Sequence, residues 1–326
     1  MAQIVFGMAI PHSGMLGQKA EDWLGNGERD RKNPTLWYRN RTWTYPELYD
    51  ERRAEGFDRL LTLEERQVRS ARCTAAIAEM RRAYEAANVD VAIILGKDQK
   101  EIFVDMTPSI AIYTGEEVHN GPPQRSVYAP DHPVMHHCHP ELALHLIGSL
   151  EAQGFDITDL MKWPGNVWMK GEPIVPHAFG FVYRQVMNDN PPPHVPILMN
   201  TFYTPTQPSM ARSVAFGKAL LKAVEAWDSD KRVAVIASGG LSHFVCDEAF
   251  DRKIISYLGD YDFDALVEVD DRSYQSGTSE IKLYSAMMVS LQKAGAKMTL
   301  VDYVPCYRTE AGTGEGMGFM YWAPQA

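Results

Sequence analysis

The stretch that decides the fold reads Val233-Ala-Val-Ile-Ala-Ser-Gly-Gly-Leu-Ser-His-Phe-Val-Cys-Asp-Glu248. It begins with a short apolar run rich in β-branched residues, which is typical of a buried parallel strand. The run breaks at Ser238-Gly239-Gly240 into a loop that carries His243 and Glu248. In open α/β sheets, catalytic and ligand-binding residues usually lie in such loops, at the carboxyl ends of the strands. The stretch therefore predicts a sheet and a candidate site at its edge.

Further apolar runs alternate with helical patterns along the rest of the chain. Strands are predicted at Gln3–Ile10, Val89–Leu95, Ser109–Thr114, Ile197–Phe202, Met298–Val304 and Gly318–Trp322. Helices are predicted at Leu63–Ala87, Glu141–Gln153, Ser209–Trp227 and Ile281–Ala294, the last of them capped by Gly277-Thr-Ser-Glu280. We predict a single α/β domain over residues 1–326, with a central mixed, largely parallel sheet flanked by helices. The active site is expected at the carboxyl ends of the strands.

The segment 21–65 does not follow the strand and helix pattern of its surroundings. It is rich in aromatic residues, among them Trp37, Tyr38, Trp43 and Tyr45, and its centre at 27–34 is densely charged. We expect a largely helical or irregular insertion that covers the loop after the first strand. A solvated surface excursion is the alternative.

Composition and charge narrow the class of protein. The chain has 326 residues, 45% of them hydrophobic and 23% charged, as is usual for a soluble enzyme. A net charge of -10 argues against nucleic acid or an anionic membrane as partner. There is no apolar run of membrane-spanning length and no signal-peptide pattern at the start, so a cytoplasmic location is expected. The cysteines at 73, 138, 246 and 306 are widely spaced, which favours free thiols.

Imidazole and carboxylate groups gather at the predicted strand ends. His12 follows the first strand, Asp98-Gln99 follows the second, and His243 and Glu248 follow the stretch quoted above. No phosphate-binding glycine loop and no GxSxG nucleophile motif is present, which argues against nucleotide binding and a typical serine hydrolase. Imidazole and carboxylate together form the ligand set of a two-His-one-carboxylate Fe(II) site.

Two loops contribute further histidines. The loop 128–140 contains four of them, at 132, 136, 137 and 139, but their spacing is not that of a zinc finger. Single functional histidines are therefore favoured over a metal cluster, chiefly His139, which precedes a predicted helix. His177 lies in the apolar segment 173–182.

These motifs, taken in order, resemble those of the class III extradiol ring-cleavage dioxygenases, of the type of the catalytic subunit of protocatechuate 4,5-dioxygenase. The resemblance covers most of the chain. It rests on Pro11-His-Ser-Gly-Met-Leu16, Gly96-Lys-Asp-Gln99, His139-Pro-Glu-Leu-Ala143, Ser238-Gly-Gly-Leu-Ser-His243 and Gly277-Thr-Ser-Glu-Ile281. The motif that ends at His243 is the most specific of these. Gly96-Lys-Asp-Gln99 is similar to an Asn-Asp-His corner of the family.

The resemblance implies a role for each candidate residue. His12 would be the first iron ligand and Glu248 the carboxylate ligand, whereas His177 would be the acid-base residue. His139 and His243 would lie behind the iron ligands or face the substrate. Gln99 stands where the family has its second ligating His, and an amide oxygen is a weaker ligand for Fe(II) than imidazole. Three readings stay open: another His (119, 132, 136 or 137) completes the site, Gln99 binds weakly or through water, or the metal is lost.

The activity implied by the resemblance is the opening of a catechol-type ring by O2 at an Fe(II) centre. The implied substrate class comprises gallate, 3-O-methylgallate, protocatechuate and dihydroxypyridine-like compounds. Within the family, the combination of Asp98-Gln99 and the aromatic insertion resembles the 3-O-methylgallate dioxygenase branch. A homodimer is expected, with a small α-type partner subunit as an open point. The alternatives are a metal-dependent hydrolase or lyase, and a non-catalytic binding protein of the same fold.

Overall fold

The computed structural model describes residues 1–122, 124–164 and 174–324. The strands are β1 (Gln3–Ile10), β2 (Leu36–Tyr38), β3 (Arg41–Trp43), β4 (Val91–Gly96), β5 (Ile110–Tyr113), β6 (Glu117–Asn120), β7 (Val134–His137), β8 (Thr158–Leu160), β9 (His194–Met199), β10 (Arg232–Ser238), β11 (His243–Val245), β12 (Lys297–Tyr307) and β13 (Thr313–Ala323). The α-helices are α1 (Trp23–Arg31), α2 (Tyr45–Arg52), α3 (Leu63–Ala86), α4 (Pro140–Glu151), α5 (His177–Phe181), α6 (Met210–Ala226), α7 (Glu248–Asp260), α8 (Phe263–Glu268) and α9 (Ile281–Gln292). The first residue of the predicted segment 173–182 lies outside the described ranges.

In the described part of the chain, nine strands form the main sheet, in the order β11-β13-β1-β10-β4-β9-β5-β8, with β12 paired to β13. The four central strands, β1, β10, β4 and β9, run parallel to one another. Antiparallel pairs flank them on both sides, β13 against β1 and β5 against β9. The predicted fold class, α/β with a mixed, largely parallel sheet flanked by helices, is confirmed.

Each central strand buries both of its faces, which is why it appears in the sequence as a continuous apolar run. In β10, Val233, Val235 and Ala237 face one apolar cluster, and Ala234 and Ile236 face the other. The first cluster contains α6 and α9, and the second contains α3 and α5. Because side chains alternate along a strand, helices are held on both sides of the sheet and the loops at its carboxyl edge are left to form a cavity.

The segment 21–65 forms α1, the β2–β3 hairpin, α2 and short 3-10 turns. Its aromatic residues pack with one another: Tyr38 and Trp43 belong to a small cluster that also includes Val245. Trp37 and Tyr38 line a separate small cavity rather than the main one. These aromatic rings therefore do not line the main cavity.

His194 lies among prolines yet is fully buried at the start of β9, and its Nε2 lies 2.8 Å from the Tyr183 hydroxyl. The acidic passage 260–274 contains α8 and ends in the buried Tyr274. The four cysteines are buried free thiols. Within the described residues, none of the helices is long and apolar enough to cross a membrane.

Candidate functional site

A cavity of about 550 Å³ opens where β1, β10 and β4 end. Its walls carry imidazoles, carboxylates and amides, among them His12, Gln99, Glu101, His177, His243, Glu280 and Glu315. Four cationic side chains also line it, Arg29, Lys100, Arg125 and Arg308. The cavity therefore lies at the carboxyl edge of the sheet, where the sequence predicts the active site.

His12 is fixed at the end of β1 by the neighbouring strand. Its Nδ1 lies 3.0 Å from Ser238 Oγ, and the Ser238 hydroxyl donates its single proton to the Ala178 carbonyl oxygen at 2.6 Å. Ser238 Oγ must therefore accept a hydrogen bond from His12, which places the proton of a neutral imidazole on Nδ1. Burial lowers the pKa of His12 more than the nearby Glu280 raises it. His12 is consequently neutral, and its Nε2 lone pair faces the cavity.

Glu280 is the carboxylate that faces His12. It ends the 3-10 turn Ser276–Glu280, just before α9, and its side chain is fully buried. Its Oε1 lies 3.3 Å from His12 Nε2, and its Oε2 lies 3.6 Å from His243 Nε2. Burial would raise the pKa of Glu280, but Lys97, His12 and His243 together hold it well below the usual range. Glu280 is therefore ionised.

Glycines allow Glu280 to approach the loop after β10. The backbone N–H of Gly240 donates to Glu280 Oε2. A Cβ atom at Gly239 would come within 2.7 Å of the Glu280 Cβ, so a side chain there would push the carboxylate away. The Gly-Gly pair that breaks the strand in the sequence is thus required by a close approach.

His177 and Glu101 form a second imidazole–carboxylate pair in the cavity wall. His177 Nδ1 lies 2.7 Å from Glu101 Oε2, and the backbone N–H of His177 donates to Glu101 Oε1 at 3.0 Å. Burial lowers the pKa of His177, but the charge and hydrogen bond of Glu101 outweigh burial and raise it. With Nδ1–H directed at Glu101, the Nε2 of neutral His177 is the atom that can accept a proton. The His12 and His177 rings lie 4.5 Å apart between centroids and are nearly perpendicular.

The loop after β4 places Glu101 opposite His177. The Asp98 carboxylate accepts hydrogen bonds from four backbone N–H groups, those of residues 100, 101, 102 and 103. This turns the chain back on itself directly after Lys97, so that Gln99 and Glu101 both line the cavity. Asp98 thus shapes the loop, and Glu101 is a functional candidate that the sequence patterns did not single out.

The structure does not bring Glu248 to the cavity. Glu248 begins α7, accepts a hydrogen bond from the Tyr307 hydroxyl and lies 3.4 Å from Arg252. The prediction that its carboxylate faces His12 needs correction, because Glu280 occupies that position. Chain direction explains the error: β11 pairs antiparallel with β13, and the residues that directly follow Phe244 no longer line the cavity.

His139 also lies away from the cavity. It is the N-cap of α4, where its Nδ1 accepts a hydrogen bond from the Leu142 backbone, and its ring packs against Trp227. Its own backbone N–H bonds to the carbonyl of His194, at the start of β9. His139 and the loop before it therefore lie at the amino edge of the parallel strands, opposite the cavity. None of the alternative donors, at 119, 132, 136 and 137, lines the cavity.

The donor atoms in the cavity suit a ferrous ion in type. His12 Nε2 and Glu280 Oε1 both carry lone pairs and lie 3.3 Å apart, close enough for one cation to contact both. Imidazole, carboxylate and the Gln99 amide are ligand types that iron accepts. However, no group of three or more His, Cys, Asp or Glu side chains in the described part of the chain is arranged as a metal site. Only part of an iron ligand set is therefore preformed.

Buried imidazoles and carboxylates at one strand edge of an α/β fold are typical of enzymes that work through acid-base or metal chemistry. The model of one protein family, described as the catalytic LigB subunit of aromatic ring-opening dioxygenase, matches residues 61–309. The chain belongs to this family. A search of curated proteins finds no match.

Proposed function

We propose that this protein is a class III extradiol dioxygenase, which opens a catechol-type ring with O2 beside the two hydroxyl groups. The observation that carries the proposal is the convergence of His12, Glu280 and the His177–Glu101 pair on one cavity at the carboxyl edge of the sheet. Membership of the ring-opening dioxygenase family supports the reaction class. The homodimer, the α-type partner subunit and the cytoplasmic location stay predictions.

The cationic walls favour an aromatic substrate that bears a carboxylate. Arg29 enters from α1 and Arg125 from the loop before Tyr128, and both line the cavity. Guanidinium groups bind carboxylates through paired hydrogen bonds. Protocatechuate, gallate and 3-O-methylgallate carry such a group and fit a cavity of about 550 Å³. Dihydroxypyridine-like compounds with an acidic substituent belong to the same class.

His177 is the residue placed to remove a phenolic proton. Its Nε2 accepts the proton while Nδ1–H stays bonded to Glu101, whose negative charge stabilises the imidazolium that forms. The same nitrogen can return the proton to an oxygen of the substrate after the ring has reacted. His243 lies on the other side of Glu280, and its Nδ1 donates to the Leu241 carbonyl oxygen at 2.8 Å. It lines the cavity with both ring nitrogens facing protein groups, so its direct effect is on the position of Glu280.

A ferrous ion would be held by His12 and Glu280, with the Gln99 amide as a neutral third donor. When bound, it would supply binding positions for the diol and for O2 and a route for electrons between them. Glu280 replaces Glu248 in this ligand set, and the other two residues are those that the resemblance implies.

Oxygen uptake by the His177→Ala variant tests the proposal. Wild-type and variant proteins are loaded with Fe(II) without oxygen and then supplied with O2 and gallate, 3-O-methylgallate, protocatechuate or a dihydroxypyridine. We expect the variant to keep the iron content of the wild type and to lose ring opening. Equal turnover by the two proteins would overturn the assignment of His177. Wild-type protein that binds iron yet opens none of these rings would overturn the proposed function.

A further inference from the structure

We propose that Lys97 is a built-in counter-cation for Glu280, which keeps this centre intact without metal and makes the binding of a divalent ion weak and reversible. The inference rests on the proposed metal centre. It adds a residue that determines how strongly that centre holds its ion.

The position of Lys97 is the first step of the argument. It follows directly on β4, and its side chain is fully buried. Its Nζ lies 2.6 Å from Glu280 Oε1, the same oxygen that faces His12 Nε2 at 3.3 Å. The ring of Phe202 lies 4.8 Å from Nζ on another side. The ammonium therefore sits at the carboxylate oxygen that a metal ion shared with His12 would use.

Charge is the second step. Ionised Glu280 is buried, and a buried carboxylate is unstable unless a cation accompanies it. Lys97 supplies that cation from within the chain. A divalent ion bound by His12 and Glu280 would lie within a few ångströms of the Lys97 ammonium, in surroundings where like charges repel strongly. Binding of the ion must therefore overcome this repulsion or displace the ammonium.

The other proposed ligands do not offset the repulsion between the metal ion and Lys97. Gln99 offers a neutral amide oxygen, which binds a divalent ion more weakly than an imidazole does. The Glu280 carboxylate that contacts His12 is also the one that Lys97 neutralises. The positive charge of Lys97 and the neutral amide of Gln99 both follow β4, and both weaken the binding of a divalent ion.

Metal affinity of the Lys97→Met variant tests the proposal, because Met keeps the length of the side chain and removes its charge. Anaerobic equilibrium dialysis against Fe(II) and titration calorimetry with Mn(II), both without substrate, give the dissociation constants. Removal of one nearby positive charge is expected to tighten binding by at least about ten-fold. The metal-free variant should unfold at a lower temperature than the wild type, and Mn(II) should raise that temperature more than it does in the wild type.

Lys282→Met is the matched control. Lys282 is also fully buried, but its Nζ pairs with Asp271 at 3.3 Å, and it does not line the cavity. Its removal should leave the dissociation constant for Mn(II) at the wild-type value. An unchanged or weaker affinity in Lys97→Met would overturn the proposal.

The wild-type protein provides a test that does not depend on a folded variant. Protein from iron-supplemented cells should lose its iron on desalting, and EDTA should leave its unfolding temperature unchanged. Stoichiometric iron that survives desalting, or a clear loss of stability in EDTA, would contradict a built-in counter-cation. These measurements need no turnover, so a failure here is distinct from a failure to open the ring at saturating Fe(II).

Discussion

His12 Nε2 lies 3.3 Å from Glu280 Oε1, although the two residues come from opposite ends of the chain. The contact forms because α9 packs against β1 and β10, which brings the turn before α9 to the end of β1. His12 is held by Ser238, and Glu280 by Gly240 and Lys97, so neither side chain is free to turn away. This pair is the centre around which the other functional residues are arranged.

Glu280 and Glu248 are both glutamates at the start of a helix, but only Glu280 reaches the cavity. Glu280→Ala should abolish detectable Fe(II) binding and ring opening, because it removes the carboxylate that faces His12. Glu248→Ala should change turnover by less than about two-fold, because it removes a surface ion pair and one contact to Tyr307. Iron content and oxygen uptake of the two variants check this. The reverse order of effects would restore Glu248 as the ligand.

Glu101 sets the pH at which His177 becomes an effective base. Burial lowers the pKa of His177, but Glu101 more than offsets this and raises it above the ordinary value. A base must be neutral, so turnover is lost as the pH falls through that pKa. Glu101→Gln removes the negative charge, and the acidic limb of the pH–rate profile should move to lower pH, while kcat falls by about ten-fold or more. An acidic limb that stays in place or moves upward would refute the pairing.

Asp251 should make the protein less stable as the pH rises from about 4 to 7. Burial raises its pKa to about 7, even though Ser242 and Tyr303 donate hydrogen bonds to it. In this pH range folded Asp251 keeps a proton that the unfolded chain releases, so the free energy of unfolding falls with rising pH, by about 4 kcal/mol in total.

Asp251→Asn imitates the protonated side chain and should remove that part of the pH dependence. Urea unfolding of both proteins at pH 4, 5.5 and 7 measures it. If the wild-type and variant free energies run parallel across these pH values, Asp251 is ionised in the folded protein and the argument fails.

Gly277 lets the turn before Glu280 lie against His243. A Cβ atom there would come within 2.0 Å of the His243 Cδ2 atom. Gly277→Ala should therefore displace His243 and lower the free energy of unfolding by about 1–3 kcal/mol, together with a loss of turnover. Gly148→Ala is the matched control, because nothing lies within 4 Å of a Cβ at Gly148 in α4. The control should gain up to about 1 kcal/mol in stability.

Sequence patterns predicted the site residues that directly follow a buried strand. Buried strands are continuous apolar runs, so the ends of β1, β4 and β10 could be placed, and His12, Gln99 and His243 with them. His177 was found through the resemblance, and the structure places it beside His12.

The residues that were missed depend on contacts between distant parts of the chain. In the sequence, Glu280 looks like part of a helix cap, because acidic residues are common at the start of a helix and Gly277-Thr-Ser-Glu280 precedes one. Only the packing of α9 on the sheet shows that its side chain turns inward. Lys97 reads as an ordinary polar residue after a strand, and its burial is visible only once Glu280 is in place. The sequence favours Glu248 as the carboxylate ligand because it follows the most specific motif. The direction of β11, which takes Glu248 away from the cavity, is not apparent from the sequence.

Oxygen-18 labelling of the product tests the central claim most directly. Wild-type protein loaded with Fe(II) is supplied with ¹⁸O₂ and whichever compound of the panel supports oxygen uptake, and the product is weighed by mass spectrometry. We predict a ring-opened product whose new carboxylate carries one labelled oxygen atom from ¹⁸O₂, in equal amount to the O2 consumed. A product whose new oxygen comes from water, or no product from any of the panel, would contradict the account.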